Sequence, residues 1–263
     1  MKIIHISDFH LVPPGEDLLG LDPRARLSAM LDDIARWHGD ADFCVITGDM
    51  ADKGRIEAYG WLAERLGAFP LETFLIVGNH DDPAALRRAM PDLPRDPGGF
   101  LQYRHDCALG TFLFLDTYKG PTSEGQYCEA RQAWLRSELE RAAETGRAVW
   151  IFMHHPPFDV AIPYMDRIKL EEADAFGDIV RCHTNIRHIF FGHIHRAAYV
   201  QWHGIGCTSL PAICHQVPLV AASVGTNYSL EPAMYGVVLI EPDKMVIHFD
   251  AALDRRSPPV AGH

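Results

Sequence analysis

Lys2-Ile3-Ile4-His5-Ile6-Ser7-Asp8-Phe9-His10 opens the chain with an apolar run that stops at an acid and an imidazole. A run of that length, rich in Ile and bounded by polar residues, reads as a buried strand over residues 2–6. The same event recurs along the chain. Residues 43–46 lead to Gly48-Asp49, residues 74–77 to Gly78-Asn79-His80-Asp81, residues 149–153 to His154-His155, and residues 189–191 to Gly192-His193-Ile194-His195. Acids, an amide and imidazoles thus sit where strands end, and in open α/β sheets the carboxyl ends of strands are where ligands bind. Two Asp, one Asn and four His gathered at one such edge make a mixed oxygen and nitrogen set large enough for two metal ions.

Helical patterns fill the spaces between these strands. Asp22-Pro23 supplies an N-cap and a proline at the first helical position, and Leu27, Met30, Leu31 and Ile34 follow at amphipathic spacing. Tyr59, Leu62, Ala63 and Leu66 mark a second helix, Asp82-Pro83 caps a short third, and residues 129–145 and 168–182 read as two more. Residues 100–104 and 111–116 look like strands of a second sheet. After residue 196 the pattern changes to strands at 198–202, 206–210, 235–240 and 245–249, with His203-Gly204 and Pro242-Asp243 as hairpin connections. Early βαβ units followed by antiparallel strands predict two packed sheets with helices outside, a four-layer α/β/β/α sandwich. A single domain is expected over residues 1–250, with hairpins and a pocket wall from 196–250 and a tail at 251–263. The loop at 11–21, with Leu18-Leu19, is expected to rim the pocket.

Of the 263 residues, 48% are apolar and 22% charged, enough for an ordinary buried core. The net charge of −11 argues against a nucleic-acid polymer as partner, because such binders need a basic surface. It does not exclude a small phosphate ester, since bound cations invert the local field. The six cysteines form no C-x-x-C pair and read as reduced thiols of a cytoplasmic protein. No signal peptide is visible, and no apolar run approaches the length of a membrane span.

The ordered blocks D-x-H, G-D, G-N-H-D, H and G-H-x-H resemble those of the calcineurin-like metallophosphoesterases. Met153-His154-His155-Pro156-Pro157 and His215-Gln216-Val217-Pro218 are most similar to the class III cyclic-nucleotide phosphodiesterases, and within them to the bacterial glycerophosphodiesterases. The likeness runs from about residue 1 to 235. It implies that Asp8, His10, Asp49 and His195 hold one divalent ion and Asp49, Asn79, His154 and His193 the other. Asp49 would bridge, because a carboxylate has two oxygens. Fe, Mn, Zn and Co all suit such a set. The likeness also implies attack on the phosphorus by a hydroxide held by the metals. His80 would act on the phosphate or the leaving oxygen, Asp81 would orient His80, and Asn79 and His215 would touch substrate. His155 is expected to point away. The same group suggests a homo-oligomer, with the run 217–222 among the contacts.

A small phosphodiester is the expected substrate, either a glycerophosphodiester or a 3′,5′-cyclic nucleotide, with the first ranked ahead on the segment around His215. A dianionic monoester would favour an Arg clamp, and Arg196 is the only nearby candidate. A phosphomonoesterase or a non-catalytic metal-binding scaffold are the competing readings. Taken singly, each residue has a plainer role: Asp8 as a cap or turn, Asn79 as a turn after Gly78, His154 as a surface group. Cys214-His215 lacks a pattern that sets a base against a nucleophile, and no G-x-G-x-x-G follows the first strand.

Overall fold

The computed structural model describes residues 1–219 and 228–252. Its strands and helices, in chain order, are β1 (Lys2–Ile6), α1 (Pro23–His38), β2 (Phe43–Thr47), α2 (Ile56–Gly67), β3 (Thr73–Ile76), α3 (Pro83–Ala89), β4 (Tyr103–Asp106), β5 (Thr111–Phe114) and α4 (Glu129–Glu144). Then come β6 (Val149–Met153), α5 (Pro163–Arg167), α6 (Ala173–Val180), β7 (Ile186–Phe191), β8 (Ala198–Trp202), β9 (Ile205–Ser209), β10 (Met234–Ile240) and β11 (Met245–Ala251). Asp22 and Asp82 cap α1 and α3 as the sequence predicts, each side chain accepting two backbone N–H groups at the helix start.

Two mixed sheets result, in the orders β11-β10-β1-β2-β3 and β4-β5-β6-β7-β9-β8. Strands β1, β2 and β3 are parallel, as are β5, β6, β7 and β9, while the hairpins β8–β9 and β10–β11 and the pair β4–β5 are antiparallel. Because β10 pairs with β1, the C-terminal third completes the sheet that the N-terminal residues begin.

The alternation of side chains along each strand makes the layers. Phe112, Phe114, Phe152 and Phe190 point one way and meet His5, Phe43 and Phe74 of the first sheet, with Phe74 stacked on Phe114 at 5.1 Å and His5 edge-on to Phe152 at 5.7 Å. Their neighbours Leu113, Ile151, Ile189 and Phe191 point the other way, into a cluster with Leu135 and Leu139 of α4 and Phe176 of α6. Full burial of one such side chain contributes roughly 1.5–3 kcal/mol. Leu27, Met30, Leu31 and Ile34 of α1 and Leu62 of α2 are buried with the first sheet. The four-layer α/β/β/α sandwich is therefore present.

Two predicted elements differ. The helix expected over 168–182 is α6 alone, because Leu170 N donates to Pro156 O and Glu171 N to Gly125 O, so these groups are taken by a strand-like bridge. The strand expected at 100–104 begins only at Tyr103, because the N–H groups of Phe100 and Leu101 are held by the carboxylates of Asp96 and Asp116. Of the run 217–222, residues 220–222 lie outside the described residues, as does the predicted tail from 253 onward.

Candidate metal centre

The parallel strands of each sheet put their carboxyl ends on one edge, and the packing of the sheets brings the two edges together. The loops after β1 and β2 are zipped by Asp8 N to Gly48 O, His10 N to Asp49 O and Leu11 N to Met50 O, at 3.1, 2.9 and 2.9 Å. His193 N donates to Asp8 Oδ1 at 3.2 Å and His80 N to Asp49 Oδ1 at 2.8 Å, so backbone from β7 and β3 aims the two carboxylates. The glycines of the motifs are dictated by contact. A Cβ on Gly48 would lie 2.7 Å from His154 Nδ1, one on Gly78 2.7 Å from His154 Cε1, and one on Gly192 would strike Ser7 Oγ.

Strain marks the same residues. Asp8, His10, Asp49, His193 and His195 have φ of 57°, 49°, 50°, 69° and 50°. A non-glycine residue in this left-handed region costs about 1–2 kcal/mol, and such strain persists where a site requires it.

The donor atoms converge. Asp49 Oδ2 lies 3.6 Å from His10 Nε2 and 3.4 Å from His154 Nε2, so this one carboxylate stands between two groups of candidate ligands. On one side His195 Nε2 is 3.0 Å from His10 Nε2 and 3.4 Å from Asp8 Oδ1. On the other, Asn79 Oδ1 lies 3.2 Å from His154 Nε2 and 2.9 Å from His193 Nδ1. Nδ1 of His154 donates to Thr47 O at 2.6 Å and Nδ1 of His195 to His215 O at 2.8 Å, which turns both Nε2 atoms inward.

These residues fit divalent cations on their own geometry. Asp8 Oδ2 is buried with no hydrogen-bond partner among the described residues, and donor atoms of Asp8, His10, Asp49 and His195 all lie within 4.8 Å of one another. Two imidazole nitrogens at 3.0 Å cannot both carry protons toward each other, whereas two lone pairs can share a cation. Burial holds His10 well below the usual imidazole range and, with His154, pushes His193 down to about 3, so both rest in the neutral, ligating form. Burial opposes ionisation of Asp8 and Asp49, but His195 and His154 beside them hold both carboxyls below the usual carboxylate range.

A cavity of about 200 Å³ opens onto this cluster. His10, Asp49, Asn79, His193 and His195 line its floor, joined by His80, His215 and Asp52, and Leu18, Leu19, Ser123, Tyr164, Met165, Ile168, Val217 and Tyr228 complete the wall. Larger clefts of about 600 and 650 Å³ lie elsewhere and hold none of the candidate ligands.

The structure corrects the expected role of Asp81. Its carboxylate accepts from Met50 N, Ala51 N and Gly78 N at 3.1, 3.1 and 2.9 Å and from Tyr59 Oη at 2.9 Å, so it pins the loop from beneath and does not orient His80. Sequence adjacency misleads here because the turn closed by Asp81 N to Gly78 O sends the two side chains apart. His80 is oriented instead by Asp52, whose Oδ1 lies 3.1 Å from His80 Nδ1. Burial opposes charge on His80, yet Asp49 and Asp52 raise it to about 9. Asp52 could have been suspected only from its place one short turn beyond Asp49. His155 is buried against His154 and His193 and does not line the cavity. Arg196 is engaged with Val217 O and Glu231, so it is not a clamp over the cluster. Tyr164, Tyr228 and Ser123 carried no signal in the sequence.

A model of the calcineurin-like phosphoesterase family matches residues 1–197. The chain is 38% identical over 251 residues to a probable cyclic nucleotide phosphodiesterase of Rhodopseudomonas palustris, covering 94% of this chain and 91% of that protein. It is 31% identical over 237 residues to a glycerophosphodiester phosphodiesterase of Enterobacter lignolyticus, covering 88% and 84%. Among solved structures, a dimetal phosphatase of Danio rerio superposes with a TM-score of 0.73 over 96% of both chains at 16% identity, a likeness of fold.

Proposed function

Because this chain belongs to the calcineurin-like phosphoesterases, we propose that its Asp, Asn and His cluster holds two divalent cations and that the chain hydrolyses small phosphodiesters. It is a metal-dependent phosphoric diester hydrolase, in line with the names of its relatives. The observation that carries the two-cation reading is the position of Asp49 Oδ2, 3.6 Å from His10 Nε2 on one side and 3.4 Å from His154 Nε2 on the other. Asp8, His10, Asp49 and His195 would hold one cation, and Asp49, Asn79, His154 and His193 the second. Fe, Mn, Zn and Co all suit the set. Bound there, the cations supply Lewis-acid polarisation of the phosphoryl oxygens and an activated water nucleophile at neutral pH.

The chain's own residues complete the reaction. Asp52 holds the His80 Nδ1–H, so the Nε2–H of His80 is the donor that reaches the phosphoryl oxygen and gives its proton to the departing alcohol. The ring of His215, pushed down to about 3 by burial and by His195, is a neutral hydrogen-bonding group in the cavity wall. Among the described residues the cavity lining contains no Lys or Arg, which suits the single charge of a diester over the double charge of a monoester. Leu18, Leu19, Tyr164, Ile168 and Tyr228 give the rest of the wall an apolar and aromatic character that suits a nucleobase. Cyclic nucleotides therefore rank ahead of glycerophosphodiesters, the reverse of the order taken from the segment around His215. Turnover of bis(p-nitrophenyl) phosphate, cAMP and glycerophosphoethanolamine with Mn, Fe, Co and Zn tests the reading. Metal binding without hydrolysis of any of them would instead favour the scaffold.

One catalytic domain over residues 1–250 acts as a homo-oligomer in this reading. The edge strands β8 and β11 support that assembly, with Tyr199 66% and Phe249 38% exposed beside a cleft of about 650 Å³. The free thiols of Cys44, Cys107, Cys128, Cys182, Cys207 and Cys214 suit a reducing, cytoplasmic setting. Among the described residues no helix is long and apolar enough to cross a membrane.

A further inference from the structure

An imidazole that binds a cation through one nitrogen needs a partner for the other, because that partner selects which nitrogen keeps its lone pair. Thr47 O and His215 O do this for His154 and His195. His193 turns Nδ1 toward Asn79, and its Nε2 is buried with no partner among the described residues. Next to it stands His155, wholly buried, its ring centroid 4.6 Å from that of His193 and its own Nε2 also without a partner. Nitrogens of His154, His155 and His193 lie within 4.8 Å of one another. The far edge of His155 is held firmly. Thr117 Oγ1 is 2.7 Å from its Nδ1 and 3.3 Å from its backbone N, and Gly125 packs so close that a Cβ there would lie 2.7 Å from Nδ1.

We propose that His155 is the positioning residue for His193: its Nε2 accepts the His193 Nε2–H through one water, and so reserves the His193 Nδ1 lone pair for the second cation. The chain from Thr117 through His155 to His193 would then reach from the end of the second sheet into the centre. The inference rests on the two-cation reading, and the test separates the two. Calorimetric titration of metal-free enzyme with Mn²⁺ is run on the wild type, His155→Asn and His155→Gln, with thermal melts alongside. Asn replaces only the Nδ1 edge and keeps Thr117, whereas Gln reaches the place of Nε2. The second Mn²⁺ should bind roughly 10–100-fold more weakly to His155→Asn, with the first unchanged, and His155→Gln should recover most of the loss. Equal two-site binding by His155→Asn and the wild type would overturn the inference. So would equal weakening in both variants together with matching losses in melting temperature, which marks a packing role. A wild type that binds a single Mn²⁺ would overturn the two-cation reading, and this inference with it.

Discussion

Replacing Asp52 by Asn isolates the contact the sequence had assigned to Asp81. Asp52 Oδ1 is 3.1 Å from His80 Nδ1, with the Asp52 side chain 13% and that of His80 40% exposed. Hydrogen bonds to charged groups contribute about 1.5–3 kcal/mol. With His80 open to water the lower end applies, and about 1.5 kcal/mol corresponds to roughly tenfold in kcat. His80→Ala removes the donor itself and should cost roughly 10²–10³ in kcat. If Asp52 acts through His80, the double variant should be no slower than His80→Ala, because the two changes break one unit. The assay is kcat for bis(p-nitrophenyl) phosphate at saturating metal, with elemental analysis of each variant. That analysis matters because nitrogen and oxygen atoms of His10, Asp52 and His80 also cluster within 4.8 Å. An unchanged kcat in Asp52→Asn, or additive losses in the double variant, would refute the dyad. Loss of a metal from His80→Ala would make His80 a ligand.

Asp81→Ala should act on stability. It strips a buried carboxylate from three N–H groups and one hydroxyl, and at about 1–3 kcal/mol for an unsatisfied buried donor a loss of about 3 kcal/mol lowers Tm by about 6–12 °C. A melt within 2 °C or so of wild type would contradict that role. On one metal preparation, kcat/KM for cAMP should exceed that for p-nitrophenyl phosphate by at least about tenfold, equivalent to ~1.4 kcal/mol. Faster hydrolysis of the monoester would make the enzyme a phosphatase. Light scattering should give a dimer or larger assembly of the 29.4 kDa chain, and a fully active monomer would remove the oligomer.

The convergence of the motif blocks was legible because each block is local. An apolar run, a glycine and a polar residue fall within a few positions, and the glycine is demanded by contacts such as that of Gly78 with Asp49 N at 2.6 Å from a would-be Cβ. The two-sheet layout was legible for the same reason, since period-two alternation and capping signals like Asp22-Pro23 are written in neighbouring residues. What could not be read was any pairing set by tertiary closure. Asp81 stands beside His80 in sequence yet faces Tyr59, 22 residues away, while Asp52 reaches His80 across 28. The split of the predicted helix at 168–182 has the same origin, since Pro156 and Gly125 claim its first N–H groups. The cavity wall of Tyr164 and Tyr228 was likewise invisible, because loops far apart in sequence build it.

The most direct measurement of the central claim is the metal content of active enzyme under saturating metal, for the wild type and Asp49→Ala. Two ions per wild-type chain are predicted. In Asp49→Ala the loss of the shared carboxylate should abolish turnover and lower metal content while the melt shows a folded chain. One ion or fewer in fully active wild-type enzyme would contradict the two-cation centre.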